Sequence, residues 1–251
     1  MNLYLTFNSS NLEEKAKKLS IDLQLEIIDS KFLSSKDYEE DYFLVCSNER
    51  MYLQRGLKKT SKPIFSDFDN WMVNYDDRLL KKALKGLSNN FLGVDLTAGF
   101  GKDALEIAKL DSCFALIMIE KEKWVFSLLS DGLINIKDTK TKDLAKKIKL
   151  HNQDNFDYLK KCEAVDLIYI DPMFTGTLKS KAKKHMQALR DLSSSKNQLN
   201  LLQESLKKAS QRVIVKRHKN MEFLEGIKPS KSIEGKVVRY DVYNIKQVDC
   251  L

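Results

Sequence analysis

The chain has 251 residues, long enough to bury one sizeable α/β core with a small extension beside it. Its 43 Lys and Arg exceed its 35 Asp and Glu for a formal net charge of +8, which favours a polyanionic partner, although many lysine-rich faces are merely solvated. Cys46, Cys113, Cys162 and Cys250 form no C-x-x-C pair and His151, His185 and His218 are scattered, which argues against a zinc site and for a reducing compartment; no stretch approaches the ~20 apolar residues of a membrane span.

Residues 1–75 read as a small α+β unit. Met1 to Phe7 alternate like a strand and lack the basic region and apolar core of a secretory leader, so a soluble cytoplasmic protein is expected. Residues 11–20 predict a helix, and residues 42–46 with 51–54 a hairpin around Ser47-Asn48-Glu49-Arg50. Residues 76–251 read as one larger domain, which begins with a connecting helix over 78–87.

Phe91 to Thr97 then predict a strand, Ala98-Gly99-Phe100-Gly101 a glycine turn, and residues 102–108 the start of a helix. Glycines at such a turn let the backbone approach a ligand and supply positive φ. The spacing is D-x-x-x-G-x-G, neither the dinucleotide fingerprint nor the phosphate loop. Lys102 follows Gly101, but Asp103 stands where Ser or Thr would hold Mg²⁺, which argues against a nucleoside triphosphate. The next strand, over 114–119, ends at Glu120, where a nucleoside ribose finds acceptors for its hydroxyls.

Residues 121–136 show helical periodicity, and the lysine-dense segment 137–149 reads as a solvated helix and turn. A third strand over 147–152 runs into Gln153-Asp154-Asn155. Asp154 is either an N-cap for the helix over 155–161 or a contact to the edge of an adenine ring. A buried parallel strand over 166–170 then ends in Asp171-Pro172-Met173-Phe174. An acid, a proline and an aromatic at that point suit a flat base with an exocyclic amine. Asp171 and the Pro172 carbonyl accept its two protons, and Phe174 stacks on the ring for roughly 1–3 kcal/mol. A strand end running into an ordinary Asp-Pro turn is the plain alternative.

Lys179, Lys181, Lys183, Lys184 and Arg190 follow that turn, and Lys216, Arg217 and Lys219 end a further strand. Both clusters are expected to grip phosphates, with binding that weakens steeply with salt. Residues 197–209 predict a helix and 236–245 a closing antiparallel strand. Four polar strand tips on the carboxyl edge of one parallel sheet lie where α/β folds bind ligands. They predict the S-adenosyl-L-methionine site of a Rossmann-like class I methyltransferase: a mostly parallel seven-stranded sheet with helices on both faces, and Asp171 opposite the methyl group.

Asp95-Leu96-Thr97-Ala98-Gly99-Phe100-Gly101-Lys102-Asp103-Ala104 resembles the D-A-T-A-G-L-G-R-D-A segment of the ribosomal RNA small subunit methyltransferase J family. Tyr169 to Phe174 is similar to its Y-L-D-P-M-F, and Lys179-Ser180 with Lys183-Lys184 and Met186 to its K-S-A-L-V-K-K-E-M. Arg212 to Arg217 is similar to R-V-V-V-K-R, Arg239 to Tyr243 to R-F-D-I-Y, and Ile64 to Phe68 to I-F-V-D-F. The motifs keep their order over about residues 42–243. The resemblance implies methyl transfer from S-adenosyl-L-methionine to the N2 amine of a guanine in 16S rRNA, alone or in the small ribosomal subunit. Cofactor contacts then fall on Gly99, Lys102, Asp103, Glu120, Lys121, Asp154, Asn155 and Asp171, with Asp171, Pro172 and Phe174 catalytic and no metal required. Thr175-Gly176-Thr177, where the family begins with Pro, and Asp69 to Arg78, where it tends to a glycine-rich basic stretch, depart from the pattern and are both expected to border RNA. A methyltransferase for an exocyclic amine in DNA or another RNA, or a non-catalytic RNA-binding protein on this fold, are the alternatives.

Overall fold

The computed structural model describes residues 1–56, 62–172, 188–189, 191–192 and 200–245. It resolves into two compact units, one formed by residues 1–67, 122–135 and 173–195, the other by 68–121, 136–172 and 196–251.

In the first unit, β1 (Leu3–Phe7) pairs parallel with β2 (Tyr42–Cys46), which pairs antiparallel with β3 (Met51–Arg55). The β2–β3 hairpin is the expected one. The helix expected over 11–20 is α1 (Glu13–Leu23), closed by Gln24 in the left-handed region. Phe43, Val45 and Ile28 form a small core with Tyr4, Leu33, Tyr38 and Tyr52 against it. The helix Lys123–Ile134 also belongs here: its Asp131 Oδ2 accepts the Met51 N–H at 2.8 Å, and its Lys123 Nζ donates to the Asp22 carbonyl at 3.0 Å. A Cβ at Gly132 would sit 2.5 Å from Ser66 Cβ and 2.6 Å from the Ser66 carbonyl oxygen, where backbone cannot yield cheaply. Gly132→Ala is therefore expected to destabilise the protein by about 1–3 kcal/mol, measured by denaturant unfolding; an unchanged midpoint would contradict this packing.

The second unit is built on α2 (Phe68–Asn74), α3 (Arg78–Leu84), β4 (Phe91–Asp95), α4 (Lys102–Ala108) and β5 (Cys113–Glu120). Taking the helix Lys123–Ile134 as α5, the chain continues with α6 (Thr139–Ala145), β6 (Ile148–Asn152), α7 (Asn155–Lys161), β7 (Val165–Ile170), α8 (Leu201–Lys208) and β8 (Ala209–His218). It closes with β9 (Lys231–Glu234) and β10 (Val238–Asn244). The sheet order is β6-β5-β4-β7-β8-β10-β9, parallel throughout except where β10 runs antiparallel to both neighbours. This is the expected seven-stranded sheet, and β10 is the expected closing strand.

Alternation along the strands sorts the two faces. Val94, Ile168, Ile170, Val213 and Val215 are fully or nearly fully buried against Leu159 of α7 and Leu201 and Leu202 of α8. The intervening residues Asp95, Tyr169 and Lys216 face the other side, where α4 packs on β5 and α3 on β10. Helices therefore cover both faces, as a parallel sheet requires. Among the described residues no helix is long and apolar enough to cross a membrane.

Strand order reverses between β4 and β7, and the crevice outside the carboxyl ends of such strands is where open α/β sheets bind ligands. Backbone bonds tie this edge together: Leu96 N–H to the Tyr169 carbonyl at 3.0 Å and Ala98 N–H to the Ile119 carbonyl at 3.1 Å.

Candidate active site

β4 delivers Asp95 to the switch point with 1% of its surface exposed. Its Oδ1 accepts the Thr97 N–H at 2.9 Å, which folds the strand end back on itself. The Thr97 hydroxyl in turn accepts the Asp171 N–H at 2.6 Å, joining the β4 tip to the β7 tip through main chain at position 171.

The turn that follows depends on two left-handed residues, Gly99 (φ +53°) and Gly101 (φ +85°), a region that favours glycine. A side chain at Gly99 would meet nothing closer than the Thr97 carbonyl oxygen, 3.8 Å away, so the turn presents bare backbone to open space. The Gly99 N–H donates to Glu120 Oε2 at 3.0 Å, which sets the Glu120 carboxylate at the β5 tip against the glycine turn. The Gln153 N–H donates to the Glu120 carbonyl at 3.2 Å, and the Asn152 amide bridges the carbonyls of Glu120 and Lys121 at 2.8 and 3.2 Å, so the β6 tip stands beside β5. Asp154 is the N-cap of α7, accepting the Phe156 N–H at 2.8 Å, and Asn155 is buried behind it. The cap reading holds, and both residues lie on the same edge.

On the opposite sheet face, Asp103 lies in the first turn of α4. Its carboxylate accepts the Tyr169 hydroxyl at 2.7 Å, the Tyr75 hydroxyl at 3.1 Å and the Lys216 ammonium at 2.5 Å. Lys216 also reaches Asp171 Oδ2 at 3.1 Å, so one ammonium bridges the α4 and β7 carboxylates. The network extends to Asp77, which caps α3, accepts the Tyr240 hydroxyl at 2.7 Å and lies 3.2 Å from the Tyr75 hydroxyl, whose one proton it shares with Asp103. The Lys102 ammonium lies 3.7 Å from the centre of the Tyr75 ring, within the range of a cation–π contact.

Three carboxylates at one buried edge titrate differently. Burial, reinforced by the charges of Asp103 and Asp171, pushes Asp95 up to about 8. Burial also raises Asp171, with Lys216 opposing it and Asp103 adding to it. Burial works against Asp103 as well, but Lys216 and the two phenols outweigh it and hold that carboxyl below its ordinary value. Asp95 is thus the neutral member near pH 7. Between pH ~4 and about 8 the folded protein holds a proton that the unfolded chain has released, so stability falls as pH rises through that window. Asp95→Asn keeps the acceptor for Thr97 and removes the charge; its melting temperature is expected to exceed the parent's at pH 8–9, with a gap that narrows toward pH 5. A gap independent of pH would contradict this account of Asp95.

The structure brings Gly99, Lys102, Asp103, Glu120, Lys121, Asp154, Asn155, Asp171 and Pro172 to the carboxyl ends of four adjoining strands. Phe174, the Thr175-Gly176-Thr177 departure and the basic residues Lys179, Lys181, Lys183, Lys184 and Arg190 lie outside the described residues. One expectation needs correction. Lys216 and Arg217 do not end their strand as solvent-facing phosphate grips. Lys216 is spent on two carboxylates, and Arg217, 8% exposed, donates to the Glu222 carbonyl at 2.9 Å. The departure over Asp69 to Arg78 has two sides: Val73 and Arg78 are exposed, whereas Asp69 accepts the Lys137 N–H at 2.8 Å, and Tyr75 and Asp77 belong to the Asp103 network. Thr97, Tyr75 and Tyr169 join this edge without having been singled out in the sequence, and Lys216 joins it in a different role from the one expected. For Tyr169 and Lys216 the signal was present in two-residue alternation, which puts them on the face of Asp171 and Asp95.

The sheet order, the glycine turn and the acidic strand tips define a class I methyltransferase. Residues 27–245 match the family described as "Putative SAM-dependent methyltransferase". The chain is 33% identical to ribosomal RNA small subunit methyltransferase J of Francisella philomiragia, over 83% of this chain and 93% of that one. It is 30% identical to the protein of that name from Hahella chejuensis, over 94% and 92%. A crystal structure of a SAM-dependent methyltransferase from Neisseria gonorrhoeae shares the fold, with a TM-score of 0.71 at 23% identity, covering 99% of this chain and 98% of that one. The chain belongs to the ribosomal RNA small subunit methyltransferase J family and is an S-adenosyl-L-methionine-dependent methyltransferase. The residues present fit that cofactor: bare glycine backbone at the turn, a carboxylate at the β5 tip for ribose hydroxyls, and the Asp171 carboxylate at the β7 tip. Among the described residues no group of three His, Cys, Asp or Glu is placed to hold a metal.

Proposed function

We propose that this protein methylates the exocyclic N2 amine of a guanine in 16S rRNA, as free RNA or within the small ribosomal subunit. Two features support the reading: relatives named for small-subunit ribosomal RNA match along more than nine-tenths of their length, and Asp171 sits at the β7 tip beside the β4–β7 switch point. The latter is the observation that carries the chemistry.

S-adenosyl-L-methionine supplies an electrophilic methyl group on a sulfonium that leaves as a neutral thioether. Gly99, Lys102, Asp103, Glu120, Lys121, Asp154 and Asn155 form the set that holds the donor, with Glu120 taking the ribose hydroxyls. An arylamine nitrogen is a poor nucleophile because its lone pair is delocalised into the ring. Asp171 and the Pro172 carbonyl accept the two amine protons, favour a pyramidal nitrogen and aim its lone pair along the transfer axis. Phe174 stacks on the guanine. The nitrogen gains the methyl and then releases one proton to Asp171 or to water. Positioning of this kind contributes as much as ~7–11 kcal/mol.

Residues 76–251 form the methyl-transfer part and residues 1–75 an accessory part, and the protein works in the cytoplasm. The test is tritiated-methyl transfer from labelled donor into separated 16S rRNA, small subunits, 23S rRNA and DNA. Label is expected in the small-subunit fractions. Label in DNA alone would favour the DNA reading, and no label with tight donor binding would favour a non-catalytic RNA-binding role.

A further inference from the structure

Lys216 has the geometry of a group that works through another residue. Asp103 is pinned by the hydroxyls of Tyr169 and Tyr75, and Tyr75 shares Asp77 with Tyr240, the residue paired with Lys216 across β8 and β10. The ammonium held on that fixed carboxylate therefore has a fixed direction. It points at Asp171 Oδ2, with the Lys216 and Asp171 side chains 20% and 23% exposed. Lys216 holds Oδ2 alone of the two carboxylate oxygens, and among the described residues nothing else hydrogen-bonds the Asp171 carboxylate.

Resting on the methyl-transfer reading above, we propose that Lys216 is a positioning residue for the reaction: it locks the Asp171 carboxylate in one orientation and keeps it ionised, so that the second oxygen faces the amine. Without that ammonium the Asp171 carboxylate would face the Asp103 carboxylate uncompensated. Like charges there favour protonation, and a protonated carboxyl accepts an amine proton poorly. The groups facing the ammonium are Asp103 from α4, Asp171 and Tyr169 from β7, Tyr240 from β10 and Tyr75 from the segment after α2; Asp95 from β4 lies in the same cluster and is neutral near pH 7.

The test compares Lys216→Met and Lys216→Arg in the full chain. For Lys216→Met, kcat is expected to fall ~10²–10³-fold, with KM for the RNA changed less than about threefold. The acid limb of the kcat–pH profile should move up by about 1 unit or more. Lys216→Arg should recover part of both. A readout free of donor and RNA is the carbon-13 titration of the Asp171 carboxyl, expected to shift upward by the same amount in Lys216→Met. Should that variant fail to fold, Lys216→Gln serves for the same titration. A raised KM at unchanged kcat, as a phosphate contact would give, overturns the proposal, as does an Asp171 titration that does not move. Because the titration needs no substrate, it decides the role of Lys216 even if the RNA reading fails.

Discussion

Asp171→Ala is expected to lower methyl transfer by about 10²–10⁴-fold while leaving the fold in place. The size follows from removing a positioned acceptor that works only as the nitrogen develops charge. The fold should persist because the bond that ties position 171 to β4 uses its main-chain N–H, donated to Thr97, and not the carboxylate. Lys216 keeps Asp103 as a partner, so no buried ammonium is stranded. The loss should fall on kcat more than on KM, because in the proposed function binding of the base also draws on Phe174 and the Pro172 carbonyl. Asp171→Asn, which keeps an acceptor oxygen but loses the charge, should retain more activity than the alanine variant. Single-turnover transfer with tritiated donor, alongside thermal melts, checks this; near-normal transfer by Asp171→Ala would remove the carboxylate from the mechanism.

Glu120→Ala is expected to weaken S-adenosyl-L-methionine binding by about 10²–10³-fold. Hydrogen bonds to a charged carboxylate contribute about 1.5–3 kcal/mol each, and two ribose hydroxyls are available to Glu120. The same carboxylate accepts the Gly99 N–H, so part of the loss should come from a glycine turn no longer held in its binding shape. Glu120→Gln preserves an acceptor for Gly99 and should fall between the parent and the alanine variant. Isothermal titration with donor measures all three. An affinity within about twofold of the parent for Glu120→Ala would remove the ribose role.

The parts of this molecule legible in the sequence are those whose cause is local. Buried parallel strands such as Val165–Ile170 announce themselves as short apolar runs, and Asp154 as an N-cap ahead of a helix. Gly99 and Gly101 stand out because a turn with φ of +53° and +85° favours residues without a Cβ. What escaped depends on pairing over long sequence distances. Tyr240 and Asp77 are 163 residues apart and meet through one hydroxyl. Lys216 reads in the sequence as a phosphate grip because nothing nearby reveals that Asp103, 113 residues earlier, lies beneath it. The four-residue edge strand Lys231–Glu234 lacks a buried face and so lacks the apolar pattern that marks a strand.

Asp69 to Arg78 departs from the glycine-rich, basic composition of related chains, which suggests a segment bordering the substrate. Three of its side chains also brace the protein from within: Asp69 fixes the backbone ahead of α6, Asp77 caps α3, and Tyr75 reaches Asp103.

At the centre of this account is a sulfonium donor cupped by the tips of β4, β5 and β7, with an acceptor carboxylate aimed at a guanine amine. The most direct test is nucleoside mass spectrometry of unmodified 16S rRNA after incubation with the purified protein and donor. The account predicts N2-methylguanosine at a single site, missing when Asp171→Ala replaces the parent. Methylation of a ribose hydroxyl, a ring carbon or a different base, or the same product from the alanine variant, would contradict it.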